Sequence, residues 1–200
     1  MFIGLTGRIA AGKGQVAEYF KNLGFEYTSL SNAVREEAKN KNIEPTRENL
    51  QNLGNELRIA EGAGVLAKRI SSKFKLNKDY VIDGIRNPAE VNHFRSLEDF
   101  YYVSINGVKS CETFHLISID ANRTVRYERA MKRNKESDPK NLEDFIIADN
   151  RDFGEKDLSG QQVAACMVMA DYHILNDFTA EEFNKRIEEI YEKIKRKVHK

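Results

Sequence analysis

The residues best suited to chemistry in this sequence form a glycine-rich loop near its start. Residues 7–14, Gly-Arg-Ile-Ala-Ala-Gly-Lys-Gly, fit all but the last place of the phosphate-binding pattern Gly-x4-Gly-Lys-Ser/Thr. In such a loop, backbone N–H groups and the N-terminus of the following helix face phosphate oxygens, and the lysine, here Lys13, reaches the terminal phosphates. We therefore expect nucleotide binding by Gly7, Arg8, Ile9, Ala10, Ala11, Gly12, Lys13, Gly14 and Gln15.

The loop departs from the pattern at the position that normally binds magnesium. Where a Ser or Thr hydroxyl is expected, the chain has Gly14 followed by Gln15. Since the direct metal ligand of the loop is missing, magnesium must be held through water or by another residue. Asp83 is our candidate, acting through water.

A second group of polar residues follows a predicted strand at 80–83. The strand ends in Asp83-Gly84-Ile85-Arg86. Because ligands of parallel sheets bind at the carboxyl ends of the strands, Asp83 and Arg86 are candidate site residues. A surface turn with a helix-capping acid is the alternative.

A long helical arm is predicted for 45–70, where leucines recur at helical spacing. Gly54, Arg58 and Glu61 follow each other along one side of the arm at i, i+4 and i+7. This flank either faces a ligand or is a solvated face with weak ion pairs, and the sequence leaves both interpretations open.

Arginines are concentrated in the predicted helix 123–133. Arg126, Arg129 and Arg133 are spaced to share one helical face, which gathers positive charge on that side. Such a face suits an anionic ligand.

A polar segment follows the arginine helix and predicts a lid. Residues 134–158 contain Pro139, Gly154 and one helix-like piece at 142–150 that precedes Arg151. We expect this lid to be mobile and to close over the site.

The order of the elements predicts the fold class. Strand candidates at 1–6, 25–30, 80–83, 114–119 and 172–175 alternate with helices, and a further β-rich stretch at 100–105 is followed by the turn signal Asn106-Gly107. The prediction is an α/β fold: an open, five-stranded, mostly parallel sheet with helices on both faces. We expect one domain over 1–200, with an acceptor-binding arm at about 31–72 and the lid at about 134–158.

Composition excludes several classes of protein. The 32 Lys and Arg against 31 Asp and Glu leave a formal charge of +1, which predicts no nucleic-acid or membrane partner. No apolar run approaches the length of a membrane span and no signal-peptide layout is present, so we expect a cytoplasmic protein. Cys111 and Cys166 match no metal-binding spacing and are interpreted as reduced, buried thiols.

Taken in order, the loop, the Asp-Gly-Ile-Arg turn, the arginine helix and the lid resemble the nucleoside-monophosphate-kinase branch of P-loop kinases. The resemblance is to an adenylate-kinase-like group, and the stretch Ala-Asp-Tyr-His-Ile-Leu-Asn-Asp at 170–177 is also similar to dephospho-CoA kinases. Adenylate kinases carry Gly-Lys-Gly-Thr in the loop, so Gly14 fits that pattern and Gln15 departs from it.

The resemblance implies roles on the acceptor side. Asn32 and Arg35 match the start of the acceptor-binding helix, with an amide in place of the family's acid. Asp83 matches a carboxylate near magnesium and Arg86 an arginine that binds acceptor phosphate, in a turn one residue shorter than the family's. With the flank of the arm, the expected acceptor-binding set is Asn32, Arg35, Arg58, Glu61 and Arg86.

The resemblance also implies roles on the donor side. Glu128-Arg129 followed by Arg133 matches the family's lid start, where the first arginine lies near the donor base and the second reaches phosphates. Arg151 is then expected to close from the far side of the lid. The expected catalytic residues are Lys13, Asp83, Arg133 and Arg151.

The implied reaction is in-line transfer of the ATP γ-phosphoryl group, assisted by Mg²⁺, to a small phosphorylated acceptor. We expect a nucleoside or deoxynucleoside monophosphate, because two arginines on the acceptor side match phosphate geometry. Alternatives are a dephospho-CoA kinase or another small-metabolite kinase, an NTPase switch, and a nucleotide-binding protein without turnover. We expect small-molecule nucleotides as partners and a monomer or homodimer.

Overall fold

Five parallel strands form one sheet at the centre of this computed structural model, which describes residues 1–75, 77–101, 114–133, 139–154 and 160–198. The strands are β1 (Phe2–Gly7), β2 (Glu26–Ser29), β3 (Tyr80–Asp83), β4 (Phe114–Asp120) and β5 (Tyr172–Leu175). Their order in the sheet is β2-β3-β1-β4-β5. The predicted five-stranded α/β sheet is confirmed, and every described strand pair is parallel.

Helices cover both faces of the sheet, so the strands are apolar on both sides. The helices are α1 (Lys13–Asn22), α2 (Leu30–Asn40), α3 (Arg47–Glu61), α4 (Val65–Ser71), α5 (Pro88–Tyr101), α6 (Arg123–Arg133), α7 (Leu142–Phe153), α8 (Val163–Val168) and α9 (Ala180–Val198). On one face, α1 and α9 pack around Phe20 and Phe183. On the other, α2 to α5 and α8 pack around Leu66 and Phe94.

The central position of β1 determines where a ligand can bind. β1 leads into α1 on one face of the sheet, whereas its neighbour β3 leads into α5 on the other face. The loops after these two adjacent strands therefore diverge, and a crevice opens between them at the carboxyl edge of the sheet.

One local prediction was wrong. The predicted long arm is two helices, α3 and α4, separated at 62–64 by a segment with two glycines. Helix α2 begins at Leu30, because the Ser29 hydroxyl caps it by accepting from Ser31 N at 3.3 Å. The first two residues of the β-rich stretch 100–105 belong to α5.

Part of the prediction falls outside the described residues. The rest of that β-rich stretch, the Asn106-Gly107 turn and Cys111 lie there. Cys166 is a free, buried thiol, as predicted, and burial raises its pKa far above the usual value. Within the described ranges, no helix is long and apolar enough to cross a membrane.

Helix α7, the central part of the predicted lid, packs directly on the glycine loop. Phe145 is fully buried and forms a small apolar cluster with Ile9 of the loop and Ala130 of α6. The lid helix thus forms part of the wall of the site in this structure.

Candidate functional site

The glycine loop connects β1 to α1 in a conformation that requires glycine at two positions. Gly7 has φ 134°, and a Cβ there would collide with the carbonyl oxygen of Ile119. Gly12, the N-cap of α1, has φ 114°, and a Cβ there would collide with the Asn176 amide. That amide donates to Ala11 O at 2.9 Å, so Asn176, which follows β5, fixes the shape of the loop.

Lys13 is the first residue of α1, and its side chain turns back over the loop. Its Nζ donates to Gly7 O and Arg8 O, each at 2.7 Å. Burial lowers the pKa of Lys13 to about 8, and the nearby carboxylate of Asp83 opposes this shift. The ammonium is therefore held where the terminal phosphates of a loop-bound nucleotide would lie.

A cavity of about 460 Å³ opens in front of the loop, and we call it the loop cavity. Arg129 and Arg133 of α6 line it. Arg129 Nη2 lies 3.4 Å from Asn176 Oδ1, while its Nη1 is buried without a hydrogen-bond partner among the described residues. A buried, unsatisfied guanidinium N–H is costly, and an anionic ligand would satisfy it. Of the predicted nucleotide-binding residues, the cavity is lined by Gly7, Ile9, Ala10, Ala11, Gly12, Lys13, Gly14, Gln15 and Arg129.

Asp83 offers the loop cavity one carboxylate oxygen that is suited to a cation. Its Oδ2 accepts from Tyr27 Oη at 3.4 Å, whereas its Oδ1 is buried without a partner in the described part of the chain. Magnesium is typically bound by one or two carboxylates, phosphate oxygens and waters. Asp83 fits that donor set, directly or through water. The described residues hold no cluster of three or more potential metal ligands, so the phosphates and waters would supply the rest.

A second cavity, of about 150 Å³, adjoins the first between α2 and α3, and we call it the acceptor cavity. The two cavities share Ser31, Gly84 and Arg86. Arg35, a predicted acceptor-binding residue, also lines this cavity. The remaining lining is Leu30, Val34, Leu50, Gln51, Gly54, Arg58, Leu66 and Gln161.

Arg58 lines the acceptor cavity, but its guanidinium is committed to a buried ion pair. Its Nη2 and Nε donate to Glu90 Oε1 at 2.9 and 3.3 Å, and both residues are almost fully buried. The other oxygen of Glu90 accepts from the backbone N–H of Arg86 and Asn87, at 2.8 and 3.0 Å. Arg58 and Glu90 therefore hold the turn that places Arg86 between the two cavities.

Three predicted site residues lie away from both cavities. Asn32 is exposed, and Glu61 is exposed and paired with Arg69 at 2.5 Å. Arg151 of α7 donates to Asn52 of α3 at 2.9 Å. None of the three lines the loop cavity that contains Lys13 or the cavity beside it.

Arg8, a predicted nucleotide-binding residue, and Arg126 of the arginine helix both anchor the lid helix. Arg126 is buried and bound to the fully buried Asp149 of α7. Arg8 donates to the same carboxylate at 2.8 Å, and its guanidinium lies 3.6 Å from the centre of the Phe153 ring. The side chain of Arg8 therefore faces α7, although its backbone belongs to the loop.

Asp152 of α7 is the residue of this site that the sequence interpretation missed most clearly. It is buried, lines the loop cavity, and accepts at Oδ1 from Gln51 Nε2 at 2.7 Å. With its amide oriented to satisfy both neighbours, Gln161 donates to Asp152 Oδ1 at 2.6 Å and accepts from Arg86 Nη1 at 3.2 Å. A signal existed in the i, i+3 pair Asp149 and Asp152 beside the arginine helix, but its partners are far away in sequence.

Comparison with known proteins finds a matching family model and relatives that align with nearly the whole chain. A family model, AAA_17, described as an AAA domain, matches residues 6–145. A UPF0200 protein of Pyrococcus abyssi is 34% identical over 200 residues and covers 97% of each chain. A UPF0200 protein of Methanothrix thermoacetophila is 33% identical over 193 residues, covering 96% of this chain and 97% of the relative.

Solved structures of low sequence identity share the architecture. Shikimate kinase from Acinetobacter baumannii, in complex with shikimate, superposes with a TM-score of 0.54 at 13% identity, covering 96% of this chain and 92% of that one. Shikimate kinase from Bacteroides thetaiotaomicron gives a TM-score of 0.52 at 17% identity, covering 98% of both chains. At these identities the likeness establishes the fold alone, which is the α/β fold of P-loop kinases.

Proposed function

This chain belongs to the AAA_17 family of AAA domains and to the UPF0200 family, and from that premise we propose that it transfers the γ-phosphoryl group of ATP to a small phosphorylated acceptor. The P-loop kinase fold supports a phosphotransferase. The donor, the acceptor class and the roles of individual residues are the proposed part.

The observation that carries this proposal is the pair of adjoining cavities. A switch that only hydrolyses nucleotide needs the loop cavity, whereas a kinase needs a second cavity that opens onto the first. Here the acceptor cavity meets the loop cavity at Arg86, with Arg35 on its wall. Forked guanidinium groups match phosphate oxygens in geometry and charge, which supports an acceptor that already carries phosphate.

The mechanism is positioning and charge neutralisation rather than covalent catalysis. The loop N–H groups and Lys13 would bind the donor phosphates, while Arg129 and Arg133 would neutralise charge that moves toward the leaving oxygen. Asp83 would hold Mg²⁺ or one of its waters, and the bound ion would supply further neutralisation between the phosphates. Helix α7 covers the loop and would exclude water, which otherwise competes as acceptor.

The acceptor that we propose is a nucleoside or deoxynucleoside monophosphate, in keeping with the resemblance to adenylate-kinase-like enzymes. Dephospho-CoA and other phosphorylated metabolites are the alternatives within the kinase class. We further propose a cytoplasmic protein, a monomer or homodimer, that acts on small-molecule nucleotides.

Acceptor-dependent ADP formation tests the proposal. The full chain is assayed with MgATP alone and with each of a panel: nucleoside and deoxynucleoside monophosphates, dephospho-CoA, shikimate and free nucleosides. ADP release that requires a monophosphate supports the proposal. Release that no acceptor changes identifies an NTPase switch, and strong turnover of only an uncharged acceptor contradicts the role given to Arg35 and Arg86.

A further inference from the structure

Gly54 occupies an unusual position for a glycine, because it lies buried in the middle of α3. Glycine inside a helix is less stable than alanine there, since it loses more backbone freedom on folding. A buried mid-helix glycine therefore needs a reason, and tight packing is the common one.

Packing within the protein does not require glycine at this position. A Cβ added to Gly54 would lie 3.5 Å from Arg58 Nη1 and 3.6 Å from Val34 Cγ2, which are ordinary van der Waals distances. The contrast with Gly4 is clear, because a Cβ at Gly4 would lie 2.6 Å from the Phe114 ring. The backbone of Gly54 is also helical, so any L-residue can adopt it.

What a side chain at Gly54 would occupy is the acceptor cavity. Gly54 lines that cavity beside Val34, Leu50 and Leu66, while Arg86 lies where the cavity meets the loop cavity. The cavity measures about 150 Å³, so each added carbon removes a notable part of its volume. Bare helix backbone and aliphatic side chains form most of the wall beside Gly54, and Arg58 Nη1 borders it as the nearest charged group.

We propose that Gly54 is a specificity-determining residue that leaves room for a planar ring of the acceptor. The ring, a nucleobase in a nucleoside monophosphate, lies against α3 at Gly54, and the phosphate of the same molecule faces Arg86 and Arg35. This inference rests on the proposed function and deepens it, because it assigns the non-phosphate part of the acceptor to a chemical class.

Binding of ligands with and without a ring tests the inference. Titration calorimetry on the full chain compares nucleoside monophosphates of each base with ribose 5-phosphate, which has the phosphate but no ring. We expect Gly54→Leu to bind the best wild-type monophosphate at least about tenfold more weakly than wild type does. The added side chain would fill the space beside Gly54 that the ring would occupy, which we call the ring slot. Ribose 5-phosphate and ATP are expected to bind both chains equally.

Two further variants separate a filled cavity from a damaged fold. Gly54→Ala fits without a clash and should raise the Tm by about 1–4 °C through helix propensity, yet still weaken monophosphate binding. Ala60→Leu is the control, because it places the same leucine side chain at an exposed position of α3. It should leave binding unchanged.

The inference and the proposed function fail in different ways. The role of Gly54 is overturned if Gly54→Ala and Gly54→Leu both bind the monophosphate as tightly as wild type does. It is also overturned if the wild-type chain binds none of the nucleoside monophosphates. Phosphoryl transfer to another acceptor would survive that result. Failure of wild type to bind ATP at all would instead overturn the proposed function, while monophosphate binding would still report on the ring slot.

Discussion

Arg126 and Asp149 form a bidentate ion pair in the interior of the protein, with Nη1–Oδ1 at 2.6 Å and Nη2–Oδ2 at 3.0 Å. It joins α6 to α7 and so attaches the lid helix to the body of the protein. Arg8 of the glycine loop donates to the same carboxylate, which connects the lid to the nucleotide site.

Removing the charge of Asp149 should therefore destabilise the protein strongly. Asp149→Asn leaves the buried Arg126 with only a more distant carboxylate, Asp120 Oδ1 at 3.8 Å from Nε, and breaking a buried pair typically costs about 3–5 kcal/mol. Urea unfolding measures the loss. Glu143→Gln, an exposed carboxylate on the same helix, should change stability by less than about 0.5 kcal/mol. Equal small effects for the two variants would show that the pair does not hold α7.

Nucleotide binding should weaken as the pH rises through about 8. Burial lowers the pKa of Lys13 to about 8 in the ligand-free chain, so above that pH its side chain is mostly the neutral amine. Bound phosphates favour the charged form and raise the pKa, hence binding takes up a proton above pH 8 and none well below it. ATP affinity should fall by up to about tenfold per pH unit above 8, measured by titration between pH 6.5 and 9.5.

Lys13→Arg is the control for that titration, because a guanidinium stays charged over the whole range. A pH dependence that persists unchanged in this variant would assign the proton to another group. Lys13→Ala should abolish phosphoryl transfer and leave the fold intact, and near-normal turnover would contradict the role of the loop.

Asp83 should determine the magnesium requirement. Its Oδ1, which has no partner among the described residues, would be the donor that replaces the missing loop hydroxyl under the proposed function. Asp83→Asn should raise the Mg²⁺ concentration needed for half-maximal turnover by about tenfold or more, without lowering the Tm. An unchanged magnesium dependence, or full activity of wild type in excess chelator, would refute this assignment.

Much of the loop cavity could be predicted because its lining is local in sequence. The glycine loop, Lys13 and the Asp83-to-Arg86 turn each follow a buried strand directly, so strand and motif together place them at one edge of the sheet. The fold followed from the same alternation of strands and helices.

Residues with distant partners were beyond that kind of reasoning. Gln51 and Asp152 are separated by 101 positions, and only the docking of α7 on α3 brings them together. Arg126 and Arg133 share a helix face as predicted, but they lie two turns apart, about 10 Å along the axis. Arg126 therefore pairs with the buried Asp149, whereas Arg133 lines the loop cavity.

The residue expected to connect lid closure with the acceptor is Asp152. Its carboxylate accepts from Gln51 at 2.7 Å, and Arg86 Nη1 lies 4.0 Å from its Oδ2. Asp152 therefore balances the charge of Arg86, the cation shared by the two cavities.

Asp152→Asn keeps the size of the side chain and removes the charge, which leaves Arg86 less well positioned for the acceptor phosphate. We expect the KM for the acceptor to rise about tenfold, while the KM for ATP changes less than about twofold, because under the proposed function the donor phosphates would contact the loop and Lys13 instead. A purely structural role would lower the Tm, as expected for Asp149→Asn, and would raise both KM values together. Steady-state kinetics with each substrate varied in turn separates the two outcomes, and an unchanged KM for the acceptor would show that Asp152 does not position Arg86.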